Sequence, residues 1–184
     1  MFVGIAKLAR QGESLARKAR VDYRQLPSRS LLSRCASRRM PFQWTINPYR
    51  GCEFGCKYCY ARYTHEFMEY RESDAFETLI FAKDIDIRTF EKDLKSVKSS
   101  EWIAIGTATD PYQPAERRYA VTKRILQVFA RRRGFQLAIT TKSDLIARDA
   151  VFMRVEAEGN SLRVNMAVTT TDSALARLLE PMAP

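Results

Sequence analysis

The sequence lacks long hydrophobic stretches. In its 184 residues no run of about eighteen or more apolar side chains occurs, so no segment is long enough to cross a membrane as a helix. The N-terminus also lacks the apolar core and small-residue cleavage site of a secretory signal. We therefore expect a cytoplasmic protein that does not associate with membranes. In that reducing compartment, clustered cysteines are more often metal ligands or catalytic groups than disulfide partners.

Histidine is also scarce, with a single residue, and internal repeats and low-complexity segments are absent. The chain still has 46% hydrophobic residues, which is enough apolar material for one globular domain with a real core.

Acidic residues are scarce only in the N-terminal part of the chain. Residues 1–50 hold 11 Lys and Arg against 2 Asp and Glu, whereas residues 51–184 hold 20 against 19. We predict a basic arm over residues 1–41, which contacts phosphates or an acidic partner or is a solvated tail. A short amphipathic helix in this arm is predicted from the spacing of four apolar side chains: Phe2, Ile5, Leu8 and Leu15.

Extended and helical segments alternate over residues 42–184, which we predict to be the core. The extended segments are 43–49, 77–83, 102–108, 135–141 and 162–169. The helical ones are 60–71, 87–98, 119–132, 144–157 and 172–180. Such alternation indicates βα units and a parallel sheet, because parallel neighbours need a crossover connection. Ligands of such sheets bind at the carboxyl ends of the strands, so the segments after the strands are the candidates for function.

Three of the four cysteines lie in one of these segments, GCEFGCKYC, residues 51–59. Their C-x3-C-x2-C spacing allows the three thiolates to surround one metal centre. Zinc would need a fourth ligand, for which His65 and the distant Cys35 are the candidates. A 4Fe–4S cluster held by three cysteines leaves one iron open for a substrate or cosubstrate. Three buried core cysteines are a further alternative, although Glu53 and Lys57 between them are poor core residues.

The stretch CEFGCKYC resembles the C-x3-C-x-aromatic-C signature of the radical S-adenosylmethionine enzymes. From about Val21 onward, INPYRGCEFGCKYCYAR, GTATDPYQPAE, TTKSDLIARD and LLEP are similar to the spore photoproduct lyase-related branch of that superfamily. The resemblance implies a partial (β/α) barrel, with about five of six βα units present in this chain. It also implies a 4Fe–4S cluster whose open iron is chelated by S-adenosyl-L-methionine. The cluster ligands would be Cys52, Cys56 and Cys59.

The activity implied by the resemblance is reductive cleavage of S-adenosyl-L-methionine, which yields methionine and a 5′-deoxyadenosyl radical that abstracts hydrogen from a substrate. The electron would come from a donor of the flavodoxin or ferredoxin type. Nucleic acid is one substrate option, given the lyase-like DNA repair reaction of the branch and the basic arm. No residue is assigned to the chemistry on the substrate itself.

Further cosubstrate contacts are implied by the same resemblance. Tyr58 stands in the aromatic position beside the adenine, or else packs the loop onto the barrel. The chain lacks the Gly-Gly-Glu motif that meets the cosubstrate's amino group elsewhere in the superfamily. The polar residues at that strand end would take over this role: Thr107, Thr109 and Asp110. Asp110 has the alternative role of a turn cap before Pro111.

The last two strands supply the remaining predicted contacts. Lys142 is expected to be the counter-charge for the methionyl carboxylate, or else a lysine at the barrel rim. Alternation along LRVNMAVTT puts Asn165 on the same face as Ala167, where related proteins often have a serine.

The chain ends after about five βα units, whereas the family continues through at least one further strand and helix. We therefore expect a C-terminally truncated core. The alternative to a radical enzyme is a non-catalytic remnant that binds the cluster but does not position the cosubstrate. A zinc-binding nucleic-acid module is a third and more distant interpretation.

Overall fold

A computed structural model describes residues 3–18 and 20–184 of the chain, and these residues form an α/β fold. Its strands are β1 (Ser14–Lys18), β2 (Val21–Leu26), β3 (Leu32–Arg34), β4 (Trp44–Ile46), β5 (Tyr49–Arg50), β6 (Leu79–Lys83), β7 (Trp102–Ile105), β8 (Gln136–Thr141) and β9 (Ser161–Met166). Its helices are α1 (Gly4–Gln11), α2 (Tyr63–Glu66), α3 (Ala75–Thr78), α4 (Ile87–Asp93), α5 (Ala115–Tyr119), α6 (Val121–Phe129), α7 (Ala150–Ala157) and α8 (Ser173–Leu179). Short 3-10 turns occupy Tyr60–Arg62, Leu94–Ser96 and Asp144–Asp149.

The larger sheet has the strand order β3-β4-β7-β8-β9. Strands β4, β7, β8 and β9 are parallel, and β3 pairs antiparallel with β4 at the edge. Alternate apolar residues such as Ile103 and Leu137 are in register and point into the main core. Helices α4, α6 and α7 cover this face with side chains that include Phe90 and Phe129. The predicted parallel βα arrangement is confirmed for these four strands.

The second sheet has the order β1-β2-β6-β5 and mixes parallel with antiparallel pairs. We expected β6 to join the other strands of the core in one parallel sheet, and this was wrong, because β6 lies between β2 and β5. All five residues of β6 are buried. Ile80 belongs to the main core, whereas Phe81 packs in a second cluster beneath α1. A strand that is apolar on both faces needs cover on both sides, and its sequence does not say which elements supply that cover.

The N-terminal segment contributes to both sheets. Strand β2 pairs in parallel with β6, and β3 pairs with β4. Residues 21–34 are therefore part of the folded unit and not a solvated tail, while a domain boundary at residue 41 stays a prediction. The expected short helix is present as α1 and includes Ile5 and Leu8, but it ends before Leu15, which lies in β1. Phe2 lies outside the described residues.

The predicted helices are real but shorter than expected. The segment 60–71 forms a 3-10 turn and the short α2, and Glu69 has a positive φ of 62° that no helix can continue. Helix α6 begins at Val121 because Ala120 has a φ of 50°. Within the part of the chain that the structure describes, no helix combines the length and apolarity needed to cross a membrane.

Candidate functional site

A cavity of about 180 Å³ lies where β4, β7, β8 and β9 end. The segments that follow these four parallel strands form its wall, as expected for a ligand site in such a sheet. All of the predicted site residues except Asn165 line it: Cys52, Cys56, Cys59, Tyr58, Thr107, Thr109, Asp110 and Lys142. The structure therefore brings together side chains that lie as far as 90 positions apart in the sequence.

The first part of the cysteine loop is held by backbone contacts. Gly51 has a φ of +79°, and a Cβ atom there would lie 2.6 Å from the carbonyl oxygen of Leu79, so no other residue fits without displacement. The amide of Cys52 donates to the carbonyl of Phe76 over 2.8 Å. The loop therefore rests on the segment that leads into β6.

Gln113 clamps the same loop from the other side. Its Nε2 donates to the carbonyl of Gly51 over 3.0 Å, and its Oε1 accepts from the amide of Glu53 over 3.1 Å. Gln113 is fully buried. These two bonds flank Cys52, so Gln113 sets the position of the first thiol. The sequence pattern did not single out Gln113, because a glutamine between two prolines has no signature of its own.

Two of the three thiols, Cys52 and Cys56, lie in surroundings that oppose ionisation. Burial is the main cause that raises the pKa of the Cys52 thiol, and it raises the pKa of Cys56 to about 11. Since the thiolate is the form that binds metals, loading of the site would release protons.

The three thiols of the cysteine loop line one cavity without forming a compact metal-binding group. Among the described residues, no three His, Cys, Asp or Glu side chains are grouped closely enough to hold one metal ion. The predicted fourth ligands for zinc are elsewhere. Nε2 of His65 lies 2.9 Å from the carbonyl oxygen of Leu79 inside an aromatic cluster, and Cys35 lies beyond β3. Neither residue lines the cavity.

The residues after β7 are bound into the structure. The Thr109 hydroxyl donates to the carbonyl of Tyr49 over 3.1 Å. Asp110 accepts from the amide of Tyr112 over 2.8 Å, which makes it a turn cap as the alternative interpretation predicted. It also accepts from the Thr141 hydroxyl over 2.6 Å and from the Lys142 amide over 2.7 Å. Both carboxylate oxygens of Asp110 therefore join the β7 loop to the end of β8, and its role toward a cosubstrate stays a prediction.

Asn47 organises the same loop and was missed in the sequence. Its Nδ2 donates to the Thr107 hydroxyl over 3.0 Å, and its Oδ1 accepts from the Ala108 amide over 2.8 Å. The hydroxyls of Thr107 and Thr109 are both engaged with the protein itself. Asn47 belongs to the quoted INPYRG segment, so its position after a strand was the available signal.

Lys142 meets a carboxylate that the sequence did not predict. Its Nζ lies 2.6 Å from Oε1 of Glu180, and it donates to the hydroxyls of Tyr58 over 3.0 Å and Thr169 over 3.1 Å. The Tyr58 and Thr169 hydroxyls also contact Glu180 Oε1. The side chains of Lys142 and Glu180 are 18% and 9% exposed, so this ion pair is largely withdrawn from water.

The two remaining predicted residues are at the periphery. Tyr58 is 53% exposed, and its ring faces Lys142 at 5.6 Å from Nζ, so it contacts the segment that follows β8. Asn165 lies outside the cavity, on the exposed face of β9, where its Nδ2 is 3.4 Å from the Thr140 hydroxyl. Ala167, next on that face, does line the cavity.

The known proteins to which the chain is similar are uncharacterized proteins. No family model and no solved structure matches it. The uncharacterized proteins Rv2578c of Mycobacterium tuberculosis and Mb2609c of Mycobacterium bovis are each 35% identical to it over 146 residues, which are 79% of this chain and 43% of the relative. The uncharacterized protein MJ0683 of Methanocaldococcus jannaschii is 28% identical over 142 residues, or 77% of this chain and 50% of the relative. The chain thus spans half or less of the length of these curated relatives.

Proposed function

We propose that this chain is the cofactor-binding part of a radical S-adenosylmethionine enzyme. The observation that carries the proposal is the cavity in which three cysteines of C-x3-C-x2-C spacing meet the segments after the other parallel strands. In this proposal the larger sheet is part of a (β/α) barrel. Its helices cover one face only, and the other face carries exposed polar residues such as Thr140, Arg163 and Asn165, as the lumen of an incomplete barrel would.

Cys52, Cys56 and Cys59 would hold a 4Fe–4S cluster, with S-adenosyl-L-methionine as cosubstrate. When bound, the cluster supplies the electron for reductive cleavage of the cosubstrate to methionine and a 5′-deoxyadenosyl radical. The protein itself binds and orients. Lys142 provides the single cationic side chain of the cavity wall within the described residues, and Tyr58 presents an aromatic ring at the mouth.

The remaining proposals concern partners. A flavodoxin- or ferredoxin-type protein in the cytoplasm would deliver the electron, and a substrate that includes nucleic acid would suit the net charge of +10. In this proposal the residues that line the cavity bind the cluster, contact the cosubstrate or hold the cysteine loop. The substrate would therefore be recognised by surfaces outside the cavity.

A cluster-binding protein without radical activity is the second candidate function. The observation that favours it is strand β9, which pairs only with β8 among the described residues and is exposed along most of its length. Without a neighbour beyond β9, the cosubstrate would lack part of its enclosure.

Anaerobic reconstitution with iron and sulfide tests the proposal. We expect roughly four irons per chain and the visible absorption of a 4Fe–4S cluster. We also expect 5′-deoxyadenosine after addition of dithionite and S-adenosyl-L-methionine. Cys56→Ala should abolish both, whereas the matched control Cys35→Ala should abolish neither, because Cys35 lies outside the cavity. A cluster without product would favour the second candidate function, and no cluster in the unaltered chain would refute both.

A further inference from the structure

Two cationic side chains share one face of the second sheet, outside the cavity of the cysteine loop. Arg50 of β5 is paired with Phe81 of β6, and Lys83 is the next residue of β6 on the same face as Phe81. Such diagonal neighbours on adjacent strands are within reach of each other when their side chains are long. Neither Arg50 nor Lys83 lines the cavity. The register therefore places two positive charges close together at a point that the proposed function does not use.

Both side chains are withdrawn from water. Lys83 is 7% exposed. Arg50 is half-buried, and its Nε is buried without a hydrogen-bond partner among the described residues. Burial is the main cause that lowers the pKa of Lys83 to about 7, and the charge of Arg50 lowers it further. The fold thus holds two cationic groups in surroundings that disfavour both charges, which is costly unless a negative charge compensates them.

The chain supplies no such charge among the described residues. Neither Arg50 nor Lys83 takes part in any ion pair formed there. Asp22 is the only acidic residue in the described strands of this sheet. Its Oδ2 accepts from Nε and from the terminal NH2 of Arg24 over 3.0 and 2.9 Å, so this carboxylate already has a cation. A counter-charge for Arg50 and Lys83 would have to come from a ligand.

A ligand can approach from the side of α2. Arg50 interacts electrostatically with Tyr63 of that helix, and Tyr63 is 47% exposed. The Arg50 guanidinium therefore extends toward the protein surface, whereas Lys83 is the more buried member of the pair. A small anion that enters here would meet Arg50 first.

The donors indicate the chemistry of the anion. A guanidinium offers a planar fork of N–H groups that matches two oxygens of a phosphate, and an ammonium adds a third point of contact. Two cations are neutralised by a group with two negative charges, which a phosphate monoester approaches at neutral pH. A nucleic-acid phosphodiester has one charge and continues as a chain on both sides, which does not suit a lysine that is 7% exposed.

We infer that Arg50 and Lys83 form a separate ligand site, which binds a phosphate group with two negative charges, either as inorganic phosphate or as the terminal phosphoryl group of a larger ligand. In the unliganded protein the fold gives Lys83 none of the acceptors that Lys142 has, and the oxygens of the anion supply them. The inference is independent of the proposed function, because neither residue lines the cavity of the cysteine loop.

Calorimetric titration of the full chain tests this site without any turnover. The probes are inorganic phosphate and sulfate, in a buffer that contains neither anion and at an ionic strength held constant with sodium chloride. We expect one site per chain with a dissociation constant of about 1 mM or lower for either anion. Lys83→Met should weaken phosphate binding at least about tenfold, and Arg50→Gln should weaken it by a similar factor, because each variant removes one of the two charges.

Lys95→Met is the matched control, because it removes the same charge from an exposed position and should keep the affinity within about twofold. Thermal melting of all three variants checks that they are folded, and Lys83→Met should pass because it removes a buried charge. An affinity for phosphate that is unchanged in Lys83→Met would place the bound anion elsewhere and overturn the inference. An unaltered chain that binds neither anion at about 10 mM would overturn it as well.

Two further titrations identify the source of the phosphate. A nucleoside 5′-monophosphate carries a terminal phosphoryl group, whereas oligothymidine without a terminal phosphate carries only diesters. Tighter binding of the monophosphate than of inorganic phosphate would support a larger ligand, and binding of inorganic phosphate alone would support the free anion. Oligothymidine that displaces phosphate from Arg50 and Lys83 would show that the site takes singly charged diesters, which contradicts the inference. Phosphate binding in a chain that assembles no cluster would leave this site standing while the radical enzyme fails.

Discussion

Two lysines lie at the carboxyl ends of strands in different sheets, and their surroundings in the fold are opposite. Lys142 follows β8 and meets a carboxylate and two hydroxyls. Lys83 ends β6 and is 7% exposed, and no acceptor for its Nζ lies among the described residues. Burial, and next to it the charge of Arg50, lowers the pKa of Lys83 to about 7. The difference shows that position after a strand does not make a lysine a charged binding group. A lysine becomes a charged binding group when other elements, or a bound anion, provide hydrogen-bond acceptors for its ammonium.

The largest expected effect comes from removing Lys83, which has no acceptor among the described residues. Lys83→Met should stabilise the protein by on the order of 3 kcal/mol at pH 7, because folding now withdraws the Lys83 ammonium from water without compensation. The folded pKa of about 7 lies below the ordinary 10.5, so the unfolded chain binds more protons between these values. The stability of the unaltered protein should therefore rise across that window, and the advantage of the variant should shrink.

Urea unfolding at several pH values measures this difference. The exposed Lys95→Met is the matched control and should change the free energy of unfolding by less than about 0.5 kcal/mol. A variant that is destabilised at pH 7 would show that Lys83 has a partner in solution, and the contrast between the two lysines would then disappear.

Removal of Lys142, which has a carboxylate partner, should lower the free energy of unfolding. Lys142→Met leaves the Glu180 carboxylate, 9% exposed, without its cation and should cost about 1–3 kcal/mol. The double variant Lys142→Met with Glu180→Gln should recover part of this loss, because the uncompensated charge is gone. Denaturant unfolding of the single and double variants gives the coupling energy of the pair, and a value near zero would contradict the ion pair.

The smallest effect is expected from the tyrosine that contacts both members of the pair. Tyr58→Phe removes the hydroxyl that accepts from Lys142 and contacts Glu180, but keeps the exposed ring. We expect a loss of about 0.5–1 kcal/mol in the free energy of unfolding. Affinity for S-adenosyl-L-methionine should stay within about twofold if the ring is what faces the adenine. A large loss of affinity in equilibrium dialysis would assign the binding role to the hydroxyl.

Much of the candidate site could be predicted because its chemistry is local. The C-x3-C-x2-C spacing places three thiols on one loop, and Thr107, Thr109, Asp110 and Lys142 each follow a recognisable strand. Parallel strands bring such segments to one edge of a sheet, so their meeting follows from the pattern alone. Asn165 was predicted from the alternation of side chains along β9. It lies outside the cavity, on the exposed face of that strand.

The supporting residues could not be predicted because their partners are distant backbone groups. Gln113 and Asn47 act by bonding to loop amides and carbonyls, and nothing in the sequence indicates which loop a given amide side chain will reach. Glu180 was quoted in the LLEP segment without a role. It reaches Lys142 only because α8 is bonded to the cysteine loop.

By itself, the sequence determined the βα alternation, the thiol loop and the polar ends of the strands, because periodicity and residue type act over a few neighbouring positions. The tertiary structure alone decided that β6 leaves the parallel sheet and that residues 21–34 enter both sheets. It also decided that Lys142 meets a carboxylate, whereas Lys83 meets none among the described residues. These outcomes depend on which surfaces cover one another and which buried charges find partners. Both are properties of contacts between segments far apart in the chain.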